Sequence, residues 1–253
     1  GFHFIPAAQY HADPCEQPSL AGSLAKTLIT ESCYKAWYSH PRLNPDHRED
    51  QDPKFDRGTA AHSMILENDA ASLVIVNADD WRTKAAKEAR AAANEAGKTA
   101  ILERHFASTK RMVDVALEFI KNSEIADHWQ NGESELTSIW TEGGIWKRCR
   151  LDRVTKDRRV IIDYKSTIDA SPEVFSRQIP RMGYHMQEAF YRDGVTAHGH
   201  QEPKFIFLAQ ADEPPHECSL HGCDPALQEI AEAQVQRATA LWRQCLTSSK
   251  WPS

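Results

Sequence analysis

The stretch Val160-Ile161-Ile162-Asp163-Tyr164-Lys165 places a carboxylate and an amine at the end of an apolar run. Successive side chains of a β-strand point to opposite faces, so Asp163 and Lys165 are expected on the same face. The three β-branched residues before Asp163 indicate a central strand that is buried on both faces, where an unpaired carboxylate would be costly. This context favours an acid and a base directed into one cleft over an exposed salt bridge between strand neighbours.

A second acid precedes this stretch in what the sequence predicts to be the neighbouring antiparallel strand. Asp152 lies within Cys149-Arg150-Leu151-Asp152-Arg153, and residues 155–158 predict the turn between the two strands. Hard cations such as Mg²⁺ prefer oxygen ligands, so Asp152 and Asp163 are the expected ligands. A bound cation neutralises the charge of a phosphodiester and lowers the pKa of the attacking water. Lys165 can orient or deprotonate that water, or stabilise the developing charge, so the residues predict metal-assisted phosphodiester hydrolysis.

Four ordered motifs resemble those of the PD-(D/E)xK nuclease superfamily, and more closely the RecE-type (exodeoxyribonuclease VIII) branch of its RecB-like exonucleases. The motifs are residues 55–62 (FDRGTAAH), 146–153 (WKRCRLDR), 162–167 (IDYKST) and 184–191 (YHMQEAFY). The last contains the Q-x-x-x-Y pattern that is typical of the RecB-like group. The resemblance extends from about residue 19 to residue 251. It implies an α/β fold with a restriction-endonuclease-like core, in which helices flank a mixed β-sheet and an N-terminal helical region precedes it.

The resemblance also implies roles for individual residues. It implies that a metal ion is bound by the side chains of His62, Asp152 and Asp163 and by the backbone carbonyl of Tyr164. It implies that catalysis depends on Lys165, Asp163 and Asp152, with Gln187 and Tyr191 lining the site beside the scissile phosphate. For Gln187 and Tyr191 the alternative is an ordinary amphipathic helix, because an i, i+4 pair shares a face of any helix.

His62 can also be argued from the residues alone. Thr59 can cap a helix whose third residue is His62, with residues 64–66 as its buried side. The alternative is a core or surface histidine without a metal. An imidazole nitrogen is less usual for Mg²⁺ and suits Mn²⁺ well, so we expect both metals to support activity. Glu133 or Glu135 could add an outer carboxylate, although a glutamate at a strand edge usually faces water.

Length and composition indicate one domain. The chain has 253 residues, of which 41% are apolar, enough for one substantial core but hardly for two. The predicted organisation is an N-terminal segment (1–18), then a single exonuclease domain (19–253) with a helical part (about 20–122), a catalytic sheet (about 133–210) and a C-terminal strand and helix (about 216–246). No apolar stretch reaches membrane-spanning length and no basic-then-apolar leader is present, so we expect a cytoplasmic protein.

Local patterns predict individual elements within this organisation. They predict two helices, over 81–96 and 102–120, separated by Gly97. Three strands are predicted over 136–141, 145–154 and 159–165, with Gly143-Gly144 as the hairpin turn between the first two. A helix over 175–192, a strand over 204–208 and a final helix, which Asp224 caps and which ends near Cys245, are predicted to follow.

The cysteines do not indicate a metal cluster. The six residues, at positions 15, 33, 149, 218, 223 and 245, contain no C-x-x-C pair, and free thiols are expected in a reducing cytoplasm. Some RecB-like nucleases carry an iron–sulfur cluster on one early and three late cysteines, but the late spacing here lacks the close pair that such clusters use. We therefore expect no iron–sulfur cluster, and residues 216–223 are more typical of a short strand than of a zinc site.

Basic residues are concentrated around the predicted site. The net charge is −6, yet residues 147–165 contain eight lysines and arginines against three acids. Such a patch can bind DNA phosphates, and the candidates are Arg148, Arg150, Arg153 and Lys156. The alternative is a solvated hairpin whose charges prevent aggregation.

The resemblance also implies an oligomeric state and a partner. It implies a ring-shaped homo-oligomer around the duplex, with four subunits favoured over three. The implied partner is a single-strand annealing protein, as in phage recombination.

Together these features predict a Mg²⁺-dependent exodeoxyribonuclease that degrades linear double-stranded DNA from its ends. The 5′ to 3′ direction and a role in recombination by strand annealing are implied by the resemblance alone. Two alternatives stay open: a structure-selective or restriction-like endonuclease with the same core, and a non-catalytic DNA-end-binding module. A nucleotide-driven motor is disfavoured because the sequence lacks a G-x-x-x-x-G-K-[ST] loop.

Overall fold

A seven-stranded mixed sheet forms the centre of the protein, whose computed structural model describes residues 1–47, 56–67, 73–96 and 98–253. Its strands are β1 (Phe2–His3), β2 (Leu20–Ala21), β5 (Gly132–Glu142), β6 (Ile145–Thr155), β7 (Val160–Thr167), β8 (Lys204–Ala211) and β9 (Cys218–His221). They lie in the order β1-β5-β6-β7-β8-β9, with β2 beside β6. The β7–β8 and β2–β6 pairs are parallel and the others antiparallel. The predicted α/β class with a mixed sheet is confirmed.

Helices cover both faces of this sheet. They are α1 (Ala7–His11), α2 (Gly22–Thr30), α3 (Cys33–Tyr38), α4 (Asp56–Glu67), α5 (Lys84–Glu95), α6 (Glu103–Asn122), α7 (Ala126–Gln130), α8 (Pro172–Met182), α9 (Tyr184–Thr196) and α10 (Pro225–Ser248). One apolar cluster joins Ile161 of β7 to α2, α8, α9 and α10, and another joins Val160, Ile162 and Tyr164 to α4 and α6. Strand β7 is therefore central and buried on both faces, as its β-branched run predicts.

A hairpin turn, a helix cap and a short strand agree with the sequence-based expectations. Gly143 and Gly144 both have positive φ in the tight turn between β5 and β6, a conformation that glycine adopts without steric cost. Asp224 accepts a hydrogen bond from the amide of Leu227 and so caps α10. Residues 218–221 form β9, the short strand expected there.

Two sequence-based expectations are wrong, and a third is incomplete. The predicted helix over 175–192 is two helices, because Gly183 has a φ of 72° and ends α8 in the left-handed conformation before α9 begins. The helical part over 20–122 also contains a small parallel sheet, β3 (Leu73–Val76) with β4 (Thr99–Leu102). Thr59 does not cap α4, since that helix already begins at Asp56. Phe55 and Gly97, which the sequence analysis used, lie outside the described residues.

The N-terminal segment is part of the sheet assembly rather than a separate tail. Strand β1 pairs with β5, and the buried carboxylate of Asp13 accepts hydrogen bonds from the amide and hydroxyl of Ser19. The same carboxylate lies 3.1 Å from Nη1 of Arg148 on β6. Within the described residues, no helix is long and apolar enough to cross a membrane.

Candidate active site

Strand β7 brings Asp163 and Lys165 to one face of the sheet, as their spacing predicts. Asp163 is completely buried, and both of its oxygens have a neighbour: Lys165 Nζ forms an ion pair with Oδ2, and Gln187 Nε2 donates to Oδ1 at 2.6 Å. Burial, followed by repulsion from Asp152, raises the pKa of Asp163 to about 7. Burial disfavours the charge on Lys165, but the carboxylates of Asp163 and Asp152 outweigh it and raise the pKa of the amine.

Asp152 lies where β6 and β7 separate. The two strands pair Arg153 with Ile162 and Val154 with Ile161, and beyond these pairs the Tyr164 amide donates to Asp152 Oδ2 at 2.9 Å. The side chain of Asp152 thus takes the place of a strand partner and is held next to β7. Burial disfavours its ionised form, but His62, Lys165 and the Tyr164 amide together outweigh burial and lower the pKa of Asp152.

Helix α4 approaches β7 closely and so brings His62 next to Asp152. A Cβ atom at Gly58 would lie only 2.8 Å from Ser166 Oγ, so the glycine permits this helix-to-strand distance. His62 Nε2 lies 3.3 Å from Asp152 Oδ2, and His62 Nδ1 lies 3.7 Å from Glu135 Oε1. Burial disfavours the charged imidazole, but the two carboxylates outweigh it and raise the pKa of His62 to about 9.

Glu135 enters the site from β5, and Glu133 does not. The carboxylate of Glu133 pairs with Arg158 at 2.5 Å, whereas that of Glu135 forms an ion pair with Arg150 and faces His62. Glu135 also has a positive φ of 57°, which is unusual for a residue other than glycine inside a strand. Of the two glutamates that the sequence offered, the structure selects Glu135.

These side chains fit a divalent cation. His62, Glu135 and Asp152 each offer one ligand atom, and the three atoms lie within 4.8 Å of one another. One imidazole and two carboxylates suit a hard or borderline cation such as Mg²⁺ or Mn²⁺. Asp163 is not part of this group, and its buried carboxylate is held by Lys165 and Gln187. Its ligand role, and that of the Tyr164 carbonyl, stay predictions.

A cavity of about 610 Å³ opens onto this cluster. The three ligand side chains and Lys165 line it, together with aromatic residues that include Tyr10, Tyr184 and Tyr191. Lys165 Nζ lies 4.9 Å from the centre of the Tyr184 ring. The cavity therefore offers a candidate ion site, a lysine and flat apolar surfaces side by side.

The family of the chain follows from its sequence. A model of the family described as "PDDEXK-like domain of unknown function (DUF3799)" matches residues 30–253, which is most of the chain. The chain belongs to this family. The predicted membership of the PD-(D/E)xK superfamily is confirmed, and the closer RecE-type relationship stays a prediction.

A solved structure resembles the fold of this chain at low sequence identity. A protein of Eubacterium rectale named "Putative exonuclease" has a TM-score of 0.60 and 11% identity over 94% of this chain and 86% of that one. At this identity the likeness shows the fold alone. The structure of SSO0001 has a TM-score of 0.31 and 11% identity over 74% of this chain and 85% of that one, too weak for any argument. No curated protein matches the chain significantly.

The PDDEXK-like site contains two residues to which sequence reasoning assigned no firm role. Glu135 was one of two possible outer carboxylates, and its position opposite Asp152 depends on strand register, which the sequence alone does not fix. Tyr184 lies three residues before Gln187, so the helical i, i+3 spacing could have placed both on one face. Tyr191 lines the cavity, with its ring 6.2 Å from that of Phe205, and its place beside the scissile phosphate stays a prediction.

The basic residues beside the PDDEXK-like site differ in what they can reach. Arg148 is buried and its guanidinium binds Asp13 and Ser19, so the expectation that it contacts DNA is wrong. Arg150 lines the cavity but is held by Glu135 and by the carbonyl of Ile5. Arg153 donates to the carbonyl of Trp129 and to Ser134. Lys156 is exposed in the β6–β7 turn. DNA contacts of the last three stay predictions.

Proposed function

We propose that this protein is a metal-dependent exodeoxyribonuclease that degrades linear double-stranded DNA from its ends. One observation carries the proposal: an imidazole and carboxylates from α4, β5 and β6 meet in one cavity beside the Asp163–Lys165 pair of β7. The PDDEXK-like family favours a nuclease. Specificity for ends and 5′ to 3′ polarity rest on the resemblance to RecE-type exonucleases, as does the supply of single strands to an annealing protein.

The residues of this chain can perform distinct parts of the reaction. His62 and Asp152 would hold a divalent cation, with Asp163 as the further ligand that the motif implies. When bound, such an ion neutralises phosphate charge and lowers the pKa of the attacking water. Lys165 keeps a charged amine beside the site, which can stabilise the charge that develops on the phosphate. Gln187 fixes the orientation of Asp163 through its 2.6 Å hydrogen bond.

The proposal is tested by comparing linear duplex with covalently closed circular duplex of the same sequence. With Mg²⁺ or Mn²⁺ we expect end-labelled linear DNA to be degraded and the circle to stay intact. Linear substrates with and without a 5′ phosphate, each labelled at one end, give the polarity. Cleavage of the circle would indicate an endonuclease, and binding of linear DNA without cleavage would indicate an end-binding module. Activity that persists in excess chelator would contradict the metal requirement.

We further propose that the protein forms a ring of four subunits. The support is the resemblance, together with a net charge of −6 that contrasts with the basic residues concentrated at 147–165. A ring confines DNA by topology, so it does not require a positively charged exterior, and rotational symmetry closes most homo-oligomers. Light scattering coupled to gel filtration is expected to give four times the mass of one chain, and a monomer at working concentration would contradict the ring.

A further inference from the structure

We propose that Glu135, a residue outside the PD-(D/E)xK motif, is a direct ligand of the catalytic divalent cation. This inference rests on the proposed function, because it assigns a further residue to the same ion site. Its starting point is that Glu135, His62 and Asp152 offer ligand atoms within 4.8 Å of one another.

Strand register places Glu135 opposite Asp152. Ser134 of β5 pairs with Arg153 of β6, and Leu136 pairs with Leu151, so Glu135 and Asp152 lie opposite each other between these two pairs. Their carboxylates offer ligand atoms within 4.8 Å of each other, so they repel each other and a cation held by both would remove this repulsion. The imidazole of His62 lies against both, 3.3 Å from Asp152 and 3.7 Å from Glu135.

The backbone at Glu135 supports a role for its side chain. A φ of 57° inside a strand costs free energy for any residue with a Cβ atom, and glycine would avoid that cost. Such strain persists where the side chain is needed. Here the strained residue carries a carboxylate that lines the cavity.

A competing explanation for the position of Glu135 is that its carboxylate only neutralises the charge of Arg150, because these two side chains form an ion pair. Glu133, two residues earlier on the same strand, shows what a simple ion pair looks like. Its carboxylate pairs with Arg158, forms no ion pair with a histidine of the described residues and does not line the cavity. Glu135 differs in both respects, so a salt bridge alone does not account for its position. Arg150 is then a positioning residue that orients the carboxylate toward His62.

Binding of Mn²⁺ to the purified protein, measured by titration calorimetry without DNA, tests the inference. We expect Glu135→Gln to weaken Mn²⁺ binding by at least about tenfold. Glu133→Gln is the matched control and should bind Mn²⁺ like the wild type. Glu135→Gly should also bind Mn²⁺ weakly, while the Tm of its metal-free form is not lower than that of the wild type, because glycine relieves the strain. This variant separates loss of a ligand from loss of the fold.

A double variant separates ligation from simple charge balance. Glu135→Gln leaves the Arg150 charge without its partner, which could by itself repel a cation. Glu135→Gln combined with Arg150→Gln restores the balance, and we expect Mn²⁺ binding to stay weak. Recovery of wild-type affinity in the double variant would overturn the ligand role.

Asp152→Asn distinguishes failure of this inference from failure of the proposed function. If Glu135→Gln binds Mn²⁺ like the wild type while Asp152→Asn does not bind it, Glu135 is not a ligand and the nuclease proposal stands. If both variants keep wild-type affinity, the ion site and the proposed function fall together.

Discussion

Lys165→Ala is expected to lower the rate of DNA cleavage by about a thousandfold or more, while binding of duplex ends stays within a few-fold of the wild type. A thousandfold corresponds to about 4 kcal/mol of transition-state stabilisation, within the range for removal of one well-placed charged group. The physical reason is the position of the amine. It is only 17% exposed, forms an ion pair with Asp163 and lies over the Tyr184 ring beside the ion site. The side chain therefore acts where charge develops in the reaction.

The measurement is single-turnover cleavage of end-labelled linear duplex, with binding followed separately by fluorescence anisotropy in Ca²⁺. Lys110→Ala is the matched control, because Lys110 is an exposed lysine of α6 that forms a surface ion pair with Asp114 one helical turn away. Removal of the amine leaves the buried Asp163 without its cation, which costs stability. Lys165→Met keeps the length of the side chain, and thermal unfolding of both variants shows whether the fold is retained. Wild-type rates in a folded Lys165 variant would contradict the assigned role.

The central sheet could be predicted because its signals are local. The β-branched run before Asp163 predicts a buried central strand, and Gly143-Gly144 predicts the hairpin turn; both are found. The division of the predicted 175–192 helix was not foreseen, although Gly183 was visible in the sequence. A glycine inside a helical pattern is often tolerated, and only the packing of α8 and α9 around it decides between a tolerated glycine and a helix end.

The sequence predicts the site residues whose positions follow from the motifs themselves. It misses the contacts that depend on a segment distant in the sequence. The alternation of β7 places Asp163 and Lys165 on one face, and His62 and Asp152 meet as the motifs imply. The role of Arg148 was mistaken because its partner, Asp13, lies in a segment that local patterns separate from the sheet. A buried arginine needs a buried acid, and sequence distance does not show which acid is available.

Asp152→Asn is expected to abolish detectable Mn²⁺ binding at millimolar concentrations and to reduce cleavage to the background rate with either Mg²⁺ or Mn²⁺. The amide is close in size to the carboxylate, and its oxygen can still accept the Tyr164 amide that Asp152 Oδ2 accepts at 2.9 Å. The change therefore removes a charge and an ion ligand while retaining the hydrogen bond that holds β6 next to β7. Titration calorimetry with Mn²⁺ and cleavage of linear duplex are the two measurements.

Asp114→Asn is the matched control, because it removes a carboxylate from a surface ion pair whose two side chains are more than half exposed. Surface pairs of this kind contribute little to stability, so this variant should bind Mn²⁺ and cleave DNA like the wild type. Loss of cleavage in Asp152→Asn with unchanged Mn²⁺ affinity would place the ion elsewhere. Since Asp152 contacts His62, lies opposite Glu135 and accepts from the backbone of β7, it is the residue through which all three parts of the site are connected. Its replacement is therefore the most direct test that they bind one ion.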